Sequence, residues 1–368
     1  MKIDRVELRE IRMPLLHPFE TSFGRTTLRR IVLVRVFADG LTGWGEVTAG
    51  EAPYYSYETP ETAWHILRDF LIPIALGRSW SAPADLAASF HPIRGHNMAK
   101  AALENALWDI AAQQQNLPLA KLVGGTLEEI PCGVSIGIQP SIPELLETIE
   151  KERAAGYQRI KVKIKPGWDL NVLDAIRNRF PSVILMADAN SAYSLEDLAH
   201  LKEFDRFYLM MIEQPLGWDD LVDHARLQRE ISTPICLDES IHSADDARKA
   251  LQIGAAKMIN IKLGRVGGFT AARQVHDVCR ARNVPVWCGG MLESGIGRAH
   301  NIAMSALPGF TLPGDVSASK RYWAEDIIEP EVSVTAHGTI TVPKAAGLGY
   351  RPNLSRIEKL TVGKESFE

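Results

Sequence analysis

The first 125 residues change from an alternating to a helical hydrophobic pattern. Apolar and polar residues alternate in three short segments, and this pattern predicts three β-strands. The strand-like segments are 3–8, 30–37 and 42–47. From Glu61 to Leu71 and from Met98 to Gln115, apolar residues recur every three or four positions, which predicts amphipathic helices. Strands followed by helices predict an α+β domain over residues 1–125.

From about residue 131, short apolar runs alternate with helical stretches of ten or more residues. The strand-like runs are 133–137, 159–164, 184–188, 208–213, 234–238, 258–262, 285–288 and 310–315. Strands that alternate with helices in this way predict a parallel sheet, and eight regular units are typical of a (β/α) barrel. An open doubly wound sheet is the alternative. No glycine-rich dinucleotide fingerprint follows any of these runs.

The tail after residue 321 lacks this period. Residues 332–334 and 339–342 flank His337-Gly338 and predict a hairpin. Because a barrel needs no further strand pair, we expect the tail to return to the N-terminal region. The predicted organisation is a capping domain of residues 1–125, completed by 321–368, on a barrel of residues 126–320.

Composition narrows the protein class and its partners. Apolar residues make up 46% and charged residues 23% of the chain, with a net charge of -4, which indicates a globular protein rather than a disordered one. No Lys/Arg cluster, membrane-length apolar run or apolar N-terminal signal is present. The four cysteines form no C-x-x-C pair and predict buried thiols. We expect a cytoplasmic homo-oligomer without nucleic-acid or membrane partners.

Single ionisable residues stand at or near the ends of five predicted barrel strands. They are Lys163, Asp188, Glu213, Asp238 and Lys262, at separations of 25, 25, 25 and 24 residues. One βα unit has about this length, so the five residues lie at one height on successive strands. They are therefore expected to converge at the C-terminal mouth of the barrel, where barrel enzymes have their active sites.

Three neighbouring carboxylates require a compensating cation. Hard oxygen ligands without His or Cys favour Mg²⁺ over Zn²⁺, so Asp188, Glu213 and Asp238 are the candidate metal ligands. Lys163 and Lys262 flank them, and burial beside a cation is expected to lower a lysine pKa enough for general-base catalysis. This arrangement suits removal of a proton beside a carboxylate, with the metal stabilising the enediolate.

Each of these residues alone has a structural explanation. A strand-end Asp is commonly a helix cap, and a lone strand Lys commonly faces solvent. Lys161 and Lys165 share the face of Lys163, so the pattern leaves the choice of base among these three lysines open. The matched spacing of five residues nevertheless favours a catalytic site.

Three further polar residues follow the strand ends. Asn190 and Glu239 are candidates for orienting the metal ligands, or else polar loop residues and helix caps. Arg265 is a candidate for lowering the pKa of Lys262, or else a surface arginine. Two aromatic loops, 18–24 and 53–57, are candidates for closing over an apolar part of the substrate, with packing against the barrel as the alternative.

With these residues identified, the chain resembles the enolase superfamily, in the muconate-lactonising subgroup. The motifs that carry the resemblance are Lys161-Val162-Lys163, Asp188-Ala189-Asn190, Glu213-Gln214-Pro215, Asp238-Glu239-Ser240 and Lys262-Leu263-Gly264-Arg265. The phrases PFETSFG (18–24), KIKPGWD (163–169), PICLDES (234–240), PVWCGGMLESGIGRAHN (285–301) and LPGDVSASKRYW (312–323) are similar to the o-succinylbenzoate synthase and N-succinylamino acid racemase family. The expected fold is α/β, a (β/α)7β-type TIM barrel with an α+β capping domain.

The resemblance implies Mg²⁺ or Mn²⁺ at Asp188, Glu213 and Asp238, with Lys163 and Lys262 as the acid/base pair. The family's synthase reaction is the syn dehydration of a cyclohexadiene carboxylate in menaquinone biosynthesis, and its racemase reaction uses the same two lysines on opposite faces of the α-carbon. The implied substrate contacts are Ser135, Lys161, Phe19, Phe23, Tyr55, Met291 and Leu292.

The resemblance implies a small-molecule carboxylate as the substrate. Three hypotheses for the function follow. The first is a lyase, the dehydratase, with racemase activity besides. The second is an isomerase whose physiological substrate is an N-acylated amino acid or a dipeptide. The third is a barrel without catalytic activity, against which the complete set of two lysines and three acids argues.

Overall fold

The computed structural model describes all 368 residues. A four-stranded antiparallel sheet in the order β15-β1-β2-β3 forms the first layer of the cap. Its strands are β1 (Ile3–Glu20), β2 (Arg25–Ala38), β3 (Leu41–Val47) and β15 (Thr361–Phe367). The predicted strands are thus present, and the first two are longer than the hydrophobic pattern indicated. Their extra length forms a hairpin that reaches the barrel, where the amide of Ile138 donates to the carbonyl of Glu20 at 2.9 Å.

Helices cover one face of this sheet. They are α1 (Pro60–Ile66), α2 (Ile72–Leu76), α3 (Pro83–Ser89), α4 (Asn97–Gln114) and α5 (Leu119–Leu122), with a π-helical turn over Leu67–Leu71 between α1 and α2. The buried side of α4 is rich in alanine, and this lets the helix lie close to β3. Gly43 and Gly45 of β3 face α4, where an added Cβ would overlap the carbonyl oxygens of Ala106 and Ala102.

Replacing Gly45 by alanine is expected to lower the free energy of unfolding by about 2 kcal/mol or more, because the methyl group forces β3 and α4 apart. Urea titration measures the change. Gly363→Ala is the matched control, since an added Cβ there meets only Glu10 Cβ, at 3.8 Å, and a change below about 0.5 kcal/mol is expected. Equal stability of the two variants would contradict this packing argument.

The central part of the chain forms a curled parallel sheet in the order β11-β10-β9-β8-β7-β6-β5. Its strands are β5 (Gly133–Ile136), β6 (Arg159–Lys163), β7 (Leu185–Asp188), β8 (Ile212–Glu213), β9 (Ile235–Leu237), β10 (Met258–Ile261) and β11 (Val286–Cys288), and β4 (Glu129–Pro131) precedes them. The predicted barrel with an α+β cap is confirmed, and the open doubly wound alternative is wrong.

Two predicted barrel strands differ from the structure. Residues 208–211 are not in a strand, and only Ile212–Glu213 pairs in β8. Residues 310–315 form no regular strand either. Instead, Phe310 bridges to Val286 and Gly314 bridges to Cys132, so single bridges join this segment to the sheet's two edge regions. Closure at this place thus uses isolated hydrogen bonds, which an apolar run does not distinguish from a strand.

The barrel helices pack around the outside of the sheet. They are α6 (Ile142–Ala154), α7 (Leu170–Arg179), α8 (Leu198–Lys202), α9 (Val222–Glu230), α10 (Ala244–Ile253), α11 (Leu263–Val266), α12 (Phe269–Arg280) and α13 (Gly295–Ser305). One large hydrophobic core runs through the barrel, and a second core lies between the cap sheet and its helices. None of the helices has the length and apolar character needed to cross a membrane. The four cysteines are buried and unpaired, as expected.

The tail divides between the two parts of the molecule. Its elements are β12 (Ile328–Glu329), β13 (Thr339–Thr341), β14 (Arg351–Pro352), α14 (Leu354–Leu360) and β15. The predicted hairpin of 332–334 with 339–342 is wrong, because β13 pairs with β4 instead. Only β15 joins the cap sheet, antiparallel to β1. The domain limits 1–125 with 321–368, and 126–320, stay a prediction.

Two buried carboxylates of the cap contact N-termini of barrel helices. Glu104 of α4 accepts hydrogen bonds from the backbone amide of Thr270, at 3.0 Å, and from its hydroxyl at the start of α12. Glu46 of β3 accepts from the amide of Ser294, at 3.0 Å, and from Gly297 at the start of α13. Both contacts place negative charge at helix N-termini, which is its favourable position. Burial nevertheless raises the pKa of each carboxyl to about 7.

The pKa of Glu104 predicts how stability depends on pH. Because its pKa rises from 4.5 to about 7 on folding, the folded state holds the proton more tightly, and the free energy of unfolding falls as pH rises through this interval. The share of this one group is about 3 kcal/mol. Urea titrations from pH 5 to 8 are expected to show a shallower decline for Glu104→Gln than for wild type. The exposed Glu147→Gln is the control, and an unchanged slope in Glu104→Gln would contradict the assignment.

Candidate active site at the mouth of the barrel

The predicted strand-end residues lie together at the C-terminal mouth of the barrel. Lys163 pairs in register with Asp188, and Asp188 pairs with Glu213 on the next strand. Asp238 and Lys262 directly follow β9 and β10. All five side chains are buried, with at most 7% of any residue exposed. Because successive βα units have nearly equal lengths, the five side chains lie close together at one end of the barrel, as the spacing predicted.

Each carboxylate forms close polar contacts. Lys163 Nζ donates to Asp188 Oδ2 at 2.5 Å, and Lys262 Nζ donates to Asp238 Oδ2 at 2.8 Å. Lys161 Nζ lies 3.0 Å from Glu213 Oε2 and 3.2 Å from Asp188 Oδ2. Each acid thus contacts at least one ammonium group. Asn260 donates to Glu213 Oε1 and its carbonyl accepts from Arg265, which also donates to Asp238, so these contacts join the three lysines and three acids in one buried network.

The pKa shifts of the acids show how strongly their charges interact. Burial opposes ionisation of Asp188, but the charges of Lys163 and Lys161 outweigh it and lower the pKa of this carboxyl. Burial and the neighbouring charge of Asp188 raise the pKa of Glu213. Ionisation of Asp188 and Glu213 therefore depends on nearby positive charge.

The two candidate bases have opposite pKa shifts. Burial lowers the pKa of Lys163, which is the direction expected for a base. Burial also acts to lower the pKa of Lys262, but the charges of Tyr55, Glu213 and Glu239 outweigh it and raise the value. The lowered pKa expected for Lys262 beside a bound cation stays a prediction.

The structure separates the three lysines that the sequence pattern left equivalent. Lys161 points into the network and contacts Asp315 Oδ2 at 2.5 Å, and its pKa is raised because Asp315, Glu213 and Asp188 outweigh the effect of burial. Lys165 lies beyond the end of β6 and pairs with Glu20 at 3.2 Å, outside the network. Of the three, only Lys163 lines the pocket of about 340 Å³ that lies between the barrel and the cap.

The residues expected to support the metal ligands contact the network in different ways. Asn190 accepts a hydrogen bond from Lys163 Nζ at 2.7 Å and donates to Glu239 Oε1 at 2.9 Å. The other carboxylate oxygen of Glu239 is buried without a partner, and burial raises its pKa to about 7. Arg265 is buried rather than a surface residue. It donates to Asp238 Oδ1 and so shares this carboxylate with Lys262.

The donors at the barrel mouth decide whether a divalent cation fits there. The side chains do not form a ready cage, since no group of three or more His, Cys, Asp or Glu is arranged to hold a metal ion. The physical reason is that Lys161, Lys163, Lys262 and Arg265 take up carboxylate oxygens. The chemistry of the donor set nevertheless fits Mg²⁺, because it consists of three carboxylates at adjacent strand ends. Glu239 adds a buried carboxylate oxygen that has no hydrogen-bond partner.

A pocket of about 340 Å³ lies above the network, between the barrel and the cap. The predicted contacts that line it are Phe19, Phe23, Tyr55, Met291 and Leu292, together with Lys163 and Lys262. Ser135 and Lys161 line a smaller neighbouring cavity of about 40 Å³ instead. The aromatic loops therefore cover the barrel mouth, and the hydroxyl of Tyr55 donates to Asp238 Oδ1 at 3.0 Å.

Two residues of the network were missed in the sequence. Asp315 binds Lys161 and also Arg159, at 2.8 Å, and these charges lower the pKa of its buried carboxyl to about 2. Asn260 donates to Glu213 Oε1 at 2.7 Å. The sequence contains a feature that could have indicated each of them. Asp315 ends the last predicted barrel run, and Asn260 lies two residues before Lys262, hence on the same strand face.

Comparison with known protein families decides the relationship. The model described as enolase C-terminal domain-like matches residues 144–356, and the mandelate racemase/muconate lactonizing enzyme N-terminal domain matches residues 5–124. The chain belongs to the enolase superfamily. The resemblance drawn from the strand-end motifs is thus confirmed. Members of this superfamily generally use Mg²⁺.

Relatives within the enolase superfamily match over nearly the whole chain. An o-succinylbenzoate synthase of Geobacillus kaustophilus is 55% identical over 362 residues, covering 98% of this chain and 96% of the relative. An N-succinylamino acid racemase of Thermus thermophilus is 48% identical over 362 residues, covering 98% of each chain. A crystal structure of an enolase superfamily member from Listeria innocua has a TM-score of 0.96 at 42% identity, covering 100% of this chain and 99% of the other.

Proposed function

We propose that this chain is a metal-dependent o-succinylbenzoate synthase that also racemises N-succinylamino acids. The observation that carries the proposal is the position of two lysines. Lys163 ends the second strand of the barrel and Lys262 follows the sixth, so the two lie on opposite sides of the mouth and line the same pocket. Relatives named for the two activities support the same conclusion.

The dehydration requires one base beside the α-carbon of a 2-succinyl-6-hydroxycyclohexadiene carboxylate. One lysine removes the α-proton, and the electron pair of that C–H bond forms an enediolate with the carboxylate. When the C–O bond breaks, the leaving hydroxide takes the proton back from the lysine and departs as water. Because elimination is syn, a single lysine serves both steps, and the other stays across the substrate as a cation.

We further propose Asp188, Glu213 and Asp238 as the ligands of Mg²⁺ or Mn²⁺. A bound divalent cation supplies the positive charge that stabilises negative charge developing on the substrate carboxylate. Within the chain, Asn190 orients Lys163 by accepting its hydrogen bond, while Arg265 and Tyr55 hold Asp238. The aromatic side chains Phe19 and Phe23 exclude water from the pocket.

Racemisation uses the same groups in a different order. One lysine removes the α-proton from one face, and the protonated lysine on the opposite face returns a proton to the enediolate. The presence of two lysines in one pocket favours this second activity, since dehydration alone needs only one base. An N-acylamino acid racemase or a dipeptide epimerase is therefore the second candidate for the physiological role.

The test is a comparison of kcat/KM for o-succinylbenzoate formation with that for racemisation of N-succinylamino acids, with Mg²⁺ present. Faster dehydration supports the synthase as the main role, and faster racemisation supports the second candidate. If the protein shows no turnover and no α-proton exchange in D₂O with any of these substrates, the two-lysine assignment is contradicted. A barrel without catalytic activity then becomes the leading hypothesis.

Two properties outside the site also remain proposals. The four buried, unpaired thiols support a reducing compartment, the cytoplasm. A homo-oligomer with closed symmetry stays a prediction that rests on the general behaviour of enzymes of this kind.

A further inference from the structure

The pocket above the catalytic lysines has an uneven charge. Five of its lining residues are cationic, namely Arg25, Arg29, Arg30, Lys163 and Lys262, and one, Glu51, is acidic. A cation of this lining that has no carboxylate partner within the chain is therefore a candidate for binding an anionic group of a ligand.

Four of the five cations already have carboxylate partners. Lys163 and Lys262 bind the strand-end acids at the floor of the pocket. Arg29 Nη1 donates to Glu51 Oε1 at 2.6 Å. Arg30 donates to both carboxylate oxygens of Glu10 at 2.9 Å and also contacts Glu61.

Arg25 is the exception. It is exposed, and its guanidinium forms no hydrogen bond or ion pair within the chain. Its cross-strand neighbour is Glu20, which is the nearest candidate partner in the hairpin. The carboxylate of Glu20 is instead bound by Lys165 at 3.2 Å, so Arg25 keeps its donors free.

The position of Arg25 relative to the catalytic lysines is fixed by the hairpin that carries it. The hydroxyl of Ser22 at the hairpin tip donates to the carbonyl of Asn190 at 3.2 Å, and Asn190 binds Lys163. The amide of Thr21 closes the turn by donating to the carbonyl of Gly24 at 2.8 Å. Arg25 thus stands at the rim of the pocket, between it and a cavity of about 690 Å³ on the other side of the hairpin.

We propose that Arg25 binds the distal carboxylate of the substrate's succinyl group and so selects dicarboxylate substrates over those with a neutral acyl group. The inference rests on the proposed function, because a succinyl group is the part of that substrate that carries a second carboxylate. A planar guanidinium with free donors is the side chain best suited to bidentate recognition of a carboxylate.

The kinetic test compares two substrates that differ in acyl charge. Rates of α-proton exchange in D₂O are measured by NMR for the N-succinyl and N-acetyl derivatives of one amino acid, with Mg²⁺. Arg25→Gln is expected to raise KM for the N-succinyl substrate about tenfold with kcat little changed, and to alter KM for the N-acetyl substrate less than about twofold. Arg25→Lys is expected to restore most of the affinity, and added salt to reduce the difference.

Arg12→Gln is the matched control, since it removes an exposed arginine of the same hairpin that does not line the pocket. A rise in KM that is equal for both acyl groups, or no rise for the N-succinyl substrate, would overturn the inference while leaving the proposed function intact. Wild-type enzyme that exchanges neither substrate would contradict the proposed function itself.

A binding measurement separates the inference from turnover. Titration calorimetry compares o-succinylbenzoate with its monomethyl ester at the succinyl carboxylate, in which a neutral methyl ester replaces the distal charge. Arg25→Gln is expected to weaken binding of the diacid about tenfold and to leave that of the ester unchanged. Equal binding of the diacid by wild type and variant would overturn the role of Arg25, whatever the enzyme catalyses.

Discussion

Lys163→Ala and Lys262→Ala are each expected to lower kcat for racemisation about 1,000-fold, because racemisation needs a base on both faces of the α-carbon. Dehydration needs one base only, so the two variants are expected to differ in this reaction. The variant that keeps more dehydration activity lacks the lysine that lies across the substrate and does not act as the base. The positions of the lysines on opposite sides of one pocket are the reason for this asymmetry.

Exchange in D₂O, followed separately from each enantiomer of an N-succinylamino acid, checks this expectation. Each variant is expected to retain exchange from one enantiomer and to lose it from the other. Lys202→Ala is the control, since this exposed lysine pairs with Glu230 and does not line the pocket. Equal loss of exchange from both enantiomers in either variant would argue against two independent bases.

Removal of the divalent cation is expected to abolish both activities, and Glu213→Gln to raise the Mg²⁺ concentration for half-maximal activity by about 100-fold or more. Glu213 lies between Asp188 and Asp238 in strand order and is fully buried. A neutral amide at this position removes one of the three negatively charged ligands proposed for the cation. It also leaves Lys161 without one of its partners.

The measurement is activity as a function of added Mg²⁺ after dialysis against a chelator. Glu104→Gln provides a comparison variant, because it also neutralises a fully buried carboxylate but lies at the boundary between α4 and α12. An unchanged Mg²⁺ requirement in Glu213→Gln, or full activity after chelation, would show that these carboxylates serve only as counterions of the lysines.

The barrel and the floor of its site could be predicted from the sequence because both depend on local regularities. An apolar run that ends in one charged residue marks a strand entering the mouth, and the length of a βα unit sets the spacing from Lys163 to Lys262. These features need no knowledge of distant contacts. The segments 208–211 and 310–315 were the exceptions, since an apolar run does not reveal how its backbone is paired.

The sequence by itself determined the fold class and the five residues that meet at the barrel mouth. Only the tertiary structure distinguished Lys163 from Lys161 and Lys165, since their roles depend on Asp315 and Glu20, which are far away in the chain. The pairing of β13 with β4 and the position of Arg25 at the pocket rim were likewise decided by contacts between distant segments. The physical reason is that hydrophobic period and unit length are properties of neighbouring residues. Ion pairing and pocket shape arise only when separate segments pack together.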